Sequence, residues 1–259
     1  MTFAAGLAKE GKKPILAIYS TFLQRAYDQL IHDVSLQKLD VTLAIDRAGF
    51  VGGDGATHAG IFDVAFLRCI PNMIIMSPSD ENECWKMLST GYDYKGPAAI
   101  RYPRGEGPGT EIISSFENLK IGEAKIIRDL NSDVVIFSFG NMLELSKEIA
   151  DELDCSLVDM RFIKPLDENI IRKYANNCKH IITIEENTLS GGAGSAVNEY
   201  LSIIGFAEKI KMFGVPDDFP IVGSQTDQRE AAGLTKTEIL KKLSVEIDLK
   251  NINKKVSAQ

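Results

Sequence analysis

A glycine-rich, charged loop follows one of the apolar segments of the chain, and its residue types suit chemistry. The loop "DRAGFVGGDGATH" runs from Asp46 to His58, directly after "VTLAI". Its glycines permit positive φ angles and close backbone approach. Arg47 supplies an anion contact, Asp54 an acceptor, and His58 a group that gains or loses a proton near neutral pH. For the loop alone, a turn with merely solvated charges remains the alternative.

Positive charge also follows a second apolar segment. "RYPRG", Arg101 to Gly105, comes directly after "AAI". If both segments are strands of one parallel sheet, Arg104 converges with Arg47 on a phosphate or carboxylate, since paired guanidinium groups clamp such anions. The alternative is that Arg101 and Arg104 pair with surface acids near a linker.

Aromatic residues lie at a third predicted strand end. "YSTF" carries Tyr19 and Phe22, at the end of the apolar segment "ILAIY". Phe22 also belongs to an apolar helical stripe, so core packing competes with a binding role for it.

The elements that must position these residues follow an alternating pattern. Unbroken apolar runs such as "MIIMS" and "DVVIFSFG" predict strands of parallel sheets that helices cover on both faces. Such sheets hold ligands at the carboxyl ends of their strands. We predict an α/β fold of two doubly wound domains, residues 1–118 and 119–246, with a boundary near "GEGPGTEI" and a polar tail at 247–259.

Two helix starts are predicted from capping residues. Ser79 is expected to open a helix with Asp80 and Glu81 in its first turn, and Thr21 with Gln24 suggests a capping box. The opening segment "MTFAAGLAKEGKKP" predicts the second half of a helix that ends near Gly11.

Composition argues against several classes of function. The chain has 259 residues, a net charge of −7 and scattered basic residues, so a nucleic-acid footprint is not supported. Its four cysteines are widely separated, which suggests neither a zinc knuckle nor a redox pair. No apolar run approaches the roughly 20 residues of a membrane span, and no leader pattern is visible. We therefore expect a soluble cytoplasmic protein with reduced thiols.

Other candidate motifs give weaker indications of function. His32 and His180 are assigned no role, and no two of the three histidines have ligand spacing, so no protein metal site is predicted. "GDG" at Gly53 resembles the start of a thiamine diphosphate signature, but no asparagine pair follows at the required distance. "GAGSAV" resembles a dinucleotide fingerprint without its third glycine, which favours a tight strand-to-helix turn.

Several longer segments together resemble one family. They are "AIYSTFLQRAYDQLIHDV", "AIDRAGFVGGDGATHAGIFD", "LRCIPNMIIMSPSDENE", "GPAAIRYPRG", "VDMRFIKPLDE" and "EENTLSGGAGSAVNE". The chain resembles the 1-deoxy-D-xylulose-5-phosphate synthase family of transketolase-like thiamine diphosphate enzymes, from Thr2 to about Leu243. The first domain would then be the pyrimidine-binding domain, and the second the transketolase C-terminal domain.

The resemblance implies a reaction and roles for particular residues. Family members decarboxylate pyruvate on thiamine diphosphate and add the two-carbon unit to glyceraldehyde 3-phosphate, for isoprenoid, thiamine and pyridoxal synthesis. They are homodimers that use magnesium. Phe22 would stack on the cofactor pyrimidine with Arg25 beside it. The acceptor substrate would be surrounded by Tyr19, by Arg47 and Arg104 at its phosphate, and by Asp54 and His58 at its hydroxyl and carbonyl oxygens.

The chain also departs from the family pattern. The family's pyrimidine-contacting glutamate lies a few residues before the "TFAAGLA" segment, and the sequence begins just after that point. The diphosphate-binding domain, with its magnesium site, is not seen either. Because tight cofactor binding needs diphosphate contacts, we expect a C-terminal piece of the enzyme that is inactive by itself.

Three other interpretations stay open from the sequence. One is the β subunit of a 2-oxo-acid dehydrogenase, although such a subunit keeps its own glutamate segment. Another is a non-catalytic binding or dimerisation module. A dinucleotide-binding protein is the third, and a titration with NAD would test it.

Overall fold

The computed structural model describes residues 1–113 and 117–246 and contains two five-stranded sheets. The predicted polar tail at 247–259 lies outside the described residues. In chain order, the strands are β1 (Ile15–Tyr19), β2 (Thr42–Asp46), β3 (Ile74–Met76), β4 (Ala98–Arg101), β5 (Lys125–Arg128), β6 (Val134–Ser138), β7 (Ser156–Asp159), β8 (Phe162–Lys164), β9 (His180–Thr188) and β10 (Ile210–Val215).

Helices connect most of these strands. In chain order, they are α1 (Thr2–Lys9), α2 (Ser20–Leu23), α3 (Tyr27–Gln29), α4 (Asp63–Leu67), α5 (Glu81–Asp93), α6 (Leu143–Leu153), α7 (Glu168–Asn177), α8 (Ala193–Ile203), α9 (Gln225–Ala231) and α10 (Lys236–Glu246). Within residues 1–113 and 117–246, no helix combines the length and the apolar character that crossing a membrane requires.

Each sheet has four parallel strands and one antiparallel strand. The first sheet has the order β1-β2-β4-β3-β8, in which β8 is antiparallel. The second has the order β10-β9-β6-β7-β5, in which β5 is antiparallel. All residues of β4 and β6 are buried, as expected for strands covered on both faces. The predicted α/β fold of two doubly wound units is confirmed.

The second half of the chain completes the first sheet. Strand β8 follows β7 closely but pairs with β3 across Ile75 and Lys164. One apolar cluster also spans both halves, since Leu43 and Ile75 belong to the same buried group as Phe137 and Met160. The two units therefore share a packed core and a strand, and no pattern in the sequence predicted this.

Both predicted capping arrangements differ from the structure. Helix α5 is capped by Asp80, whose Oδ1 accepts a hydrogen bond from Glu83 N at 2.8 Å. Ser79 instead donates to the buried Asp159 at 2.7 Å, because its position before the helix faces the seam between the sheets. Thr21 lies within α2 and donates to Thr57 O at 3.1 Å, so it caps nothing.

The predicted long helix after β1 is present only as a broken helical segment. Helices α2 and α3 are separated by the 3₁₀ turn Gln24–Ala26, and a π-helix, Leu30–Ser35, follows. Part of its apolar stripe is nevertheless buried: Leu23, Leu30 and Val34 have no exposed surface, whereas Phe22 is 39% exposed. The spacing of apolar residues therefore predicted the buried side of the segment except at Phe22, while the hydrogen-bond pattern along the segment varies.

Candidate substrate and cofactor site

The order of the first sheet brings three of the predicted loops together. Strands β1, β2 and β4 are adjacent and parallel, with Tyr19 paired with Asp46 and Ile45 paired with Arg101. Parallel strands present their carboxyl ends at one edge. The loops that follow β2 and β4, and the helix that follows β1, therefore meet at this edge.

Arg47 and Arg104 both approach the carboxylate of Asp54. The Nε atom of Arg104 lies 2.9 Å from Asp54 Oδ2, and that of Arg47 lies 3.8 Å from the same oxygen. A second ion pair joins Arg47 Nη1 to Asp46 Oδ2 at 2.6 Å. The predicted convergence of Arg47 and Arg104 is thus present, and a carboxylate of the loop lies at the point where they meet.

These two guanidinium groups retain hydrogen-bonding capacity. The Nε atoms of Arg47 and Arg104 are buried, and neither makes an aligned hydrogen bond with the described residues. The two Nε atoms therefore form ion pairs with Asp54, but their N–H bonds do not point at its carboxylate oxygens well enough to count as hydrogen bonds. Buried donors without an acceptor are costly. Two guanidinium groups that meet at one carboxylate mark a position suited to an anionic oxygen.

An aromatic wall lies next to the arginines. Tyr19 and Phe22 are stacked, with ring centroids 5.5 Å apart and an interplanar angle of 11°. The guanidinium of Arg47 lies 4.0 Å above the Tyr19 ring, and His58 meets Phe22 edge-on at 5.5 Å. Cation–π and edge contacts of this kind hold rings in fixed orientations. The wall therefore borders the arginine cluster.

His58 is positioned at the rim and not within the core. It ends the 3₁₀ turn Ala56–His58 and is half-buried. Its Nδ1 atom lies 3.0 Å from Thr57 Oγ1, which fixes the ring orientation. A half-buried imidazole beside the aromatic wall can contact a ligand at this rim and exchange a proton with it.

The loop is closed by a contact that only glycine allows. Gly49 and Gly60 form a bridge, with N–O distances of 2.7 and 2.9 Å in the two directions. A Cβ atom at Gly60 would lie 1.8 Å from Arg47 O. Any side chain there would displace the backbone of Arg47, so Gly60 fixes the position from which that guanidinium starts.

Arg101 does not join this cluster. It is 5% exposed and its Nε atom contacts Asp63 Oδ2 at 3.0 Å, while Asp63 is completely buried. The alternative interpretation predicted that Arg101 pairs with a surface acid. Arg101 does pair with an acid, but this acid, Asp63, lies in the core. Arg104 pairs with Asp54, which is a loop residue of the candidate site.

Residues of the second unit also border the site. Gln225 and Gln228 on α9, with Glu186 at the end of β9, hydrogen-bond to the backbone of the loop. These contacts join residues that are 136 to 176 positions apart. Sequence patterns extend over only a few residues, so they cannot predict contacts at this separation. The capping pattern Ser224 to Asp227 predicts the start of α9, but not what the helix contacts. A cavity of about 420 Å³ is lined by Arg104 and Gln225, among other residues.

The aromatic wall fits one part of thiamine diphosphate. Phe22 is 39% exposed, and the guanidinium of Arg25 lies 5.9 Å from its ring. An exposed ring with a cation beside it suits stacking on a heteroaromatic pyrimidine. Within the described ranges, no group of three or more metal-ligating side chains is found.

Helix α8 begins within "GAGSAV" at Ala193, and a side chain of the protein itself occupies its N-terminus. The carboxylate of Glu185 accepts hydrogen bonds from Ala193 N and Gly194 N, both at 2.7 Å. These backbone groups are the ones that would hold a nucleotide phosphate. The glycines serve a tight strand-to-helix turn, as favoured from the sequence.

Comparisons with known proteins agree with this arrangement. Residues 1–110 match the family model of the transketolase pyrimidine-binding domain, and residues 122–239 match that of the transketolase C-terminal domain. The chain therefore belongs to the transketolase family. A solved structure titled "Split gene transketolase, inactive beta4 tetramer" has a TM-score of 0.82 and 28% identity, covering 95% of this chain and 80% of that chain.

Within the family, the similarity is to one kind of enzyme. The chain is 55% identical over 234 residues to the 1-deoxy-D-xylulose-5-phosphate synthase of Hahella chejuensis (strain KCTC 2396), covering 90% of this chain and 36% of that protein. It is 51% identical over 247 residues to the synthase of Marinomonas sp. (strain MWYL1), covering 95% of this chain and 39% of that protein. The resemblance stated from the motifs is confirmed, and the chain spans well under half the length of these relatives.

Proposed function

We propose that this chain supplies the pyrimidine-binding and acceptor-substrate part of a 1-deoxy-D-xylulose-5-phosphate synthase. Its substrates would be pyruvate and glyceraldehyde 3-phosphate, and its product would serve isoprenoid, thiamine and pyridoxal synthesis. The observation that carries the proposal is the convergence of two guanidinium groups, those of Arg47 and Arg104, on one carboxylate beside an aromatic wall. That geometry suits a small molecule with a phosphate at one end.

Each residue of the cluster has a role in this proposal. Arg47 and Arg104 bind the phosphate of the acceptor, and the Tyr19 ring holds the Arg47 guanidinium in place. Asp54 accepts a hydrogen bond from an acceptor hydroxyl. His58 donates a proton to the aldehyde oxygen as the aldehyde carbon forms its new carbon–carbon bond. The charge that develops on that oxygen is thereby neutralised.

The cofactor would be bound at the aromatic wall. When bound, thiamine diphosphate supplies the nucleophilic carbon that takes up the two-carbon unit of pyruvate. Phe22 would stack against its pyrimidine, with Arg25, whose guanidinium lies 5.9 Å from the Phe22 ring, beside it. We place the diphosphate and its magnesium on a separate diphosphate-binding domain. We divide the present chain at residues 118 and 119, with the second domain ending at 246.

The chain alone would then lack turnover. A steady-state assay with pyruvate, glyceraldehyde 3-phosphate and cofactor, with and without a diphosphate-binding domain added in trans, tests this. Turnover by the homogeneous 28.5 kDa chain would contradict it. We further propose that the protein is cytoplasmic and that it forms a homodimer. Light scattering in solution would measure the mass of the proposed homodimer.

A second candidate is a subunit that works with a separate partner chain. The similarity to a split-gene transketolase, of which this chain covers 80%, favours it. Co-expression with a diphosphate-binding chain, followed by copurification, distinguishes a stable two-chain enzyme from a non-catalytic module.

The phosphate clamp is tested by removing its charges. Arg47→Met and Arg104→Met should each weaken binding of glyceraldehyde 3-phosphate by about 10- to 100-fold, because each removes a charge-assisted hydrogen bond. Binding of unphosphorylated glyceraldehyde should change little. Titration calorimetry on the purified chain measures both ligands.

Arg172→Met is the matched control, since Arg172 contacts the exposed Tyr200 hydroxyl on the other unit and makes the same charge change. Equal loss in the control, or equal loss for both aldehydes, would count against a phosphate clamp.

A further inference from the structure

Strand pairing does not reach the two loops that carry the arginines. The ladder between β2 and β4 ends where Ile45 pairs with Arg101, and the next backbone contacts are Tyr102 N to Ile45 O and Ala48 N to Tyr102 O, both at 3.0 Å. Beyond Tyr102, no further backbone hydrogen bond joins the two segments among the described residues. Something other than the sheet must therefore fix the distance between the Arg104 loop and the loop at 47–58.

One side chain of the second unit joins both loops. Gln225 Nε2 donates to Phe50 O at 2.8 Å and to Arg104 O at 3.3 Å. A single amide thus holds the carbonyl of Arg104 itself and a carbonyl three residues after Arg47. Moving this amide would move the two guanidinium groups relative to each other.

A second amide on the same helix holds the middle of the glycine loop. Gln228 is 1% exposed, its Oε1 accepts from Gly52 N at 2.8 Å, and its Nε2 donates to Gly52 O at 3.2 Å. Nε2 also donates to Ile221 O at 2.8 Å. Gly52 is buried with a φ angle of 63°, a conformation that favours glycine. Gln228 pairs with this residue as a neighbouring strand would.

A carboxylate completes the attachment. Glu186 Oε1 accepts from Phe50 N at 2.9 Å, and its Oε2 accepts from Arg229 Nε at 2.6 Å. The Glu186 side chain is completely buried, and such a charge is tolerated only when it is paired. The loop is therefore fixed from three places in the second unit: Gln225, Gln228 and Glu186.

We propose that Gln225 and Gln228 are positioning residues, through which the second domain sets the spacing of the Arg47 and Arg104 guanidinium groups for the acceptor phosphate. The proposal deepens the function proposed above and rests on it. Neither glutamine need touch the substrate. Their effect would be to hold the two arginine-bearing loops at the separation that one phosphate bridges.

The test uses Gln225→Met and Gln228→Met in the full chain. Methionine keeps the side-chain length and removes the hydrogen bonds. Thr226→Ala is the control, because Thr226 is exposed on the same helix. Hydrogen–deuterium exchange should become about 10-fold faster at 47–58 and 102–107 in Gln225→Met, and at 47–58 in Gln228→Met. The control should exchange like the native chain.

Ligand affinity separates positioning from general stability. Gln225→Met should weaken glyceraldehyde 3-phosphate binding by about 3- to 10-fold and leave glyceraldehyde binding unchanged. A residue that only supports the fold would lower both affinities together, in step with the unfolding midpoint. If the buried Gln228 variant does not fold, the half-exposed Gln225 variant decides alone.

Two results would overturn the inference: unchanged exchange in both loops, or an unchanged ratio of the two affinities. If the native chain itself does not prefer the phosphorylated aldehyde, the proposed function fails. Exchange then reports separately whether the glutamines hold the loops.

Discussion

At the scale of single residues, Asp54 was predicted as an acceptor of the site, but its position between the two arginines was not expected. Its Oδ2 atom lies between two guanidinium groups and compensates their mutual repulsion. A phosphate that enters must share those groups with a carboxylate of the same sign. Asp54 therefore lowers the affinity for a bare anion and favours a ligand that also brings a hydroxyl donor to the carboxylate.

Removing that charge should change the preference of the site. Asp54→Asn should bind inorganic phosphate about 3- to 10-fold more tightly, because the repulsion is lost in a half-exposed position. Its preference for glyceraldehyde 3-phosphate over inorganic phosphate should fall. Calorimetry with both ligands measures the ratio.

Glu148→Gln, at an exposed position on α6, makes the same charge change elsewhere. Weaker phosphate binding in Asp54→Asn would show that Asp54 mainly holds the arginines in position.

At the scale of elements, helix α8 depends on an internal carboxylate. Glu185 is almost fully buried and satisfies the first backbone N–H groups of the helix. Burial raises its pKa to about 7, although the two backbone N–H groups oppose the shift. The folded protein thus binds a proton at this carboxyl that the unfolded chain, with its ordinary value near 4.5, has released.

This difference gives a pH dependence with a defined sign. Between about pH 4.5 and 7 the folded state holds more protons, so the free energy of unfolding should fall as pH rises, by up to about 1 kcal/mol per pH unit. Glu185→Gln should lack this contribution. Urea denaturation of both proteins across the window measures the difference in slope.

Burial also raises the pKa of Asp159 to about 6. Because Asp159 is present in both the native protein and the Glu185→Gln variant, its contribution to the two slopes is the same and does not affect their difference. Parallel slopes for the native and Glu185→Gln proteins would contradict the prediction, and Glu148→Gln serves as an exposed control.

At the scale of the whole molecule, the two units are joined by a buried polar seam. Arg101 on β4 contacts the carboxylate of Asp63 at 3.0 Å and donates to Glu186 O on β9 at 3.4 Å. Strand β8 crosses from the second half into the first sheet. With a shared core and a shared strand, the units should unfold together in one transition.

Breaking the seam tests this coupling. Arg101→Met leaves the completely buried Asp63 without its partner and should destabilise the protein by about 3–5 kcal/mol. The double variant Arg101→Met with Asp63→Asn should recover part of the loss, because no unpaired charge remains. Urea denaturation followed by circular dichroism and by Trp85 fluorescence measures stability and cooperativity.

A loss below about 1 kcal/mol in Arg101→Met would show that Asp63 finds another partner. Separate transitions by the two probes in the native protein would show that the units unfold independently.

Most elements, and the edge at which their loops meet, could be predicted from the sequence, but the breaks in the helical segment after β1 and the pairing of β8 with β3 could not. Apolar runs such as β6 can only be buried strands, and parallel strands place their following loops on one side, so the meeting of Arg47 with Arg104 was predictable. Only the tertiary structure decided that Asp54 lies between them and that Gln225 ties their loops together. The reason is physical: local periodicity records whether a residue is buried, whereas these contacts depend on how two separately formed sheets pack.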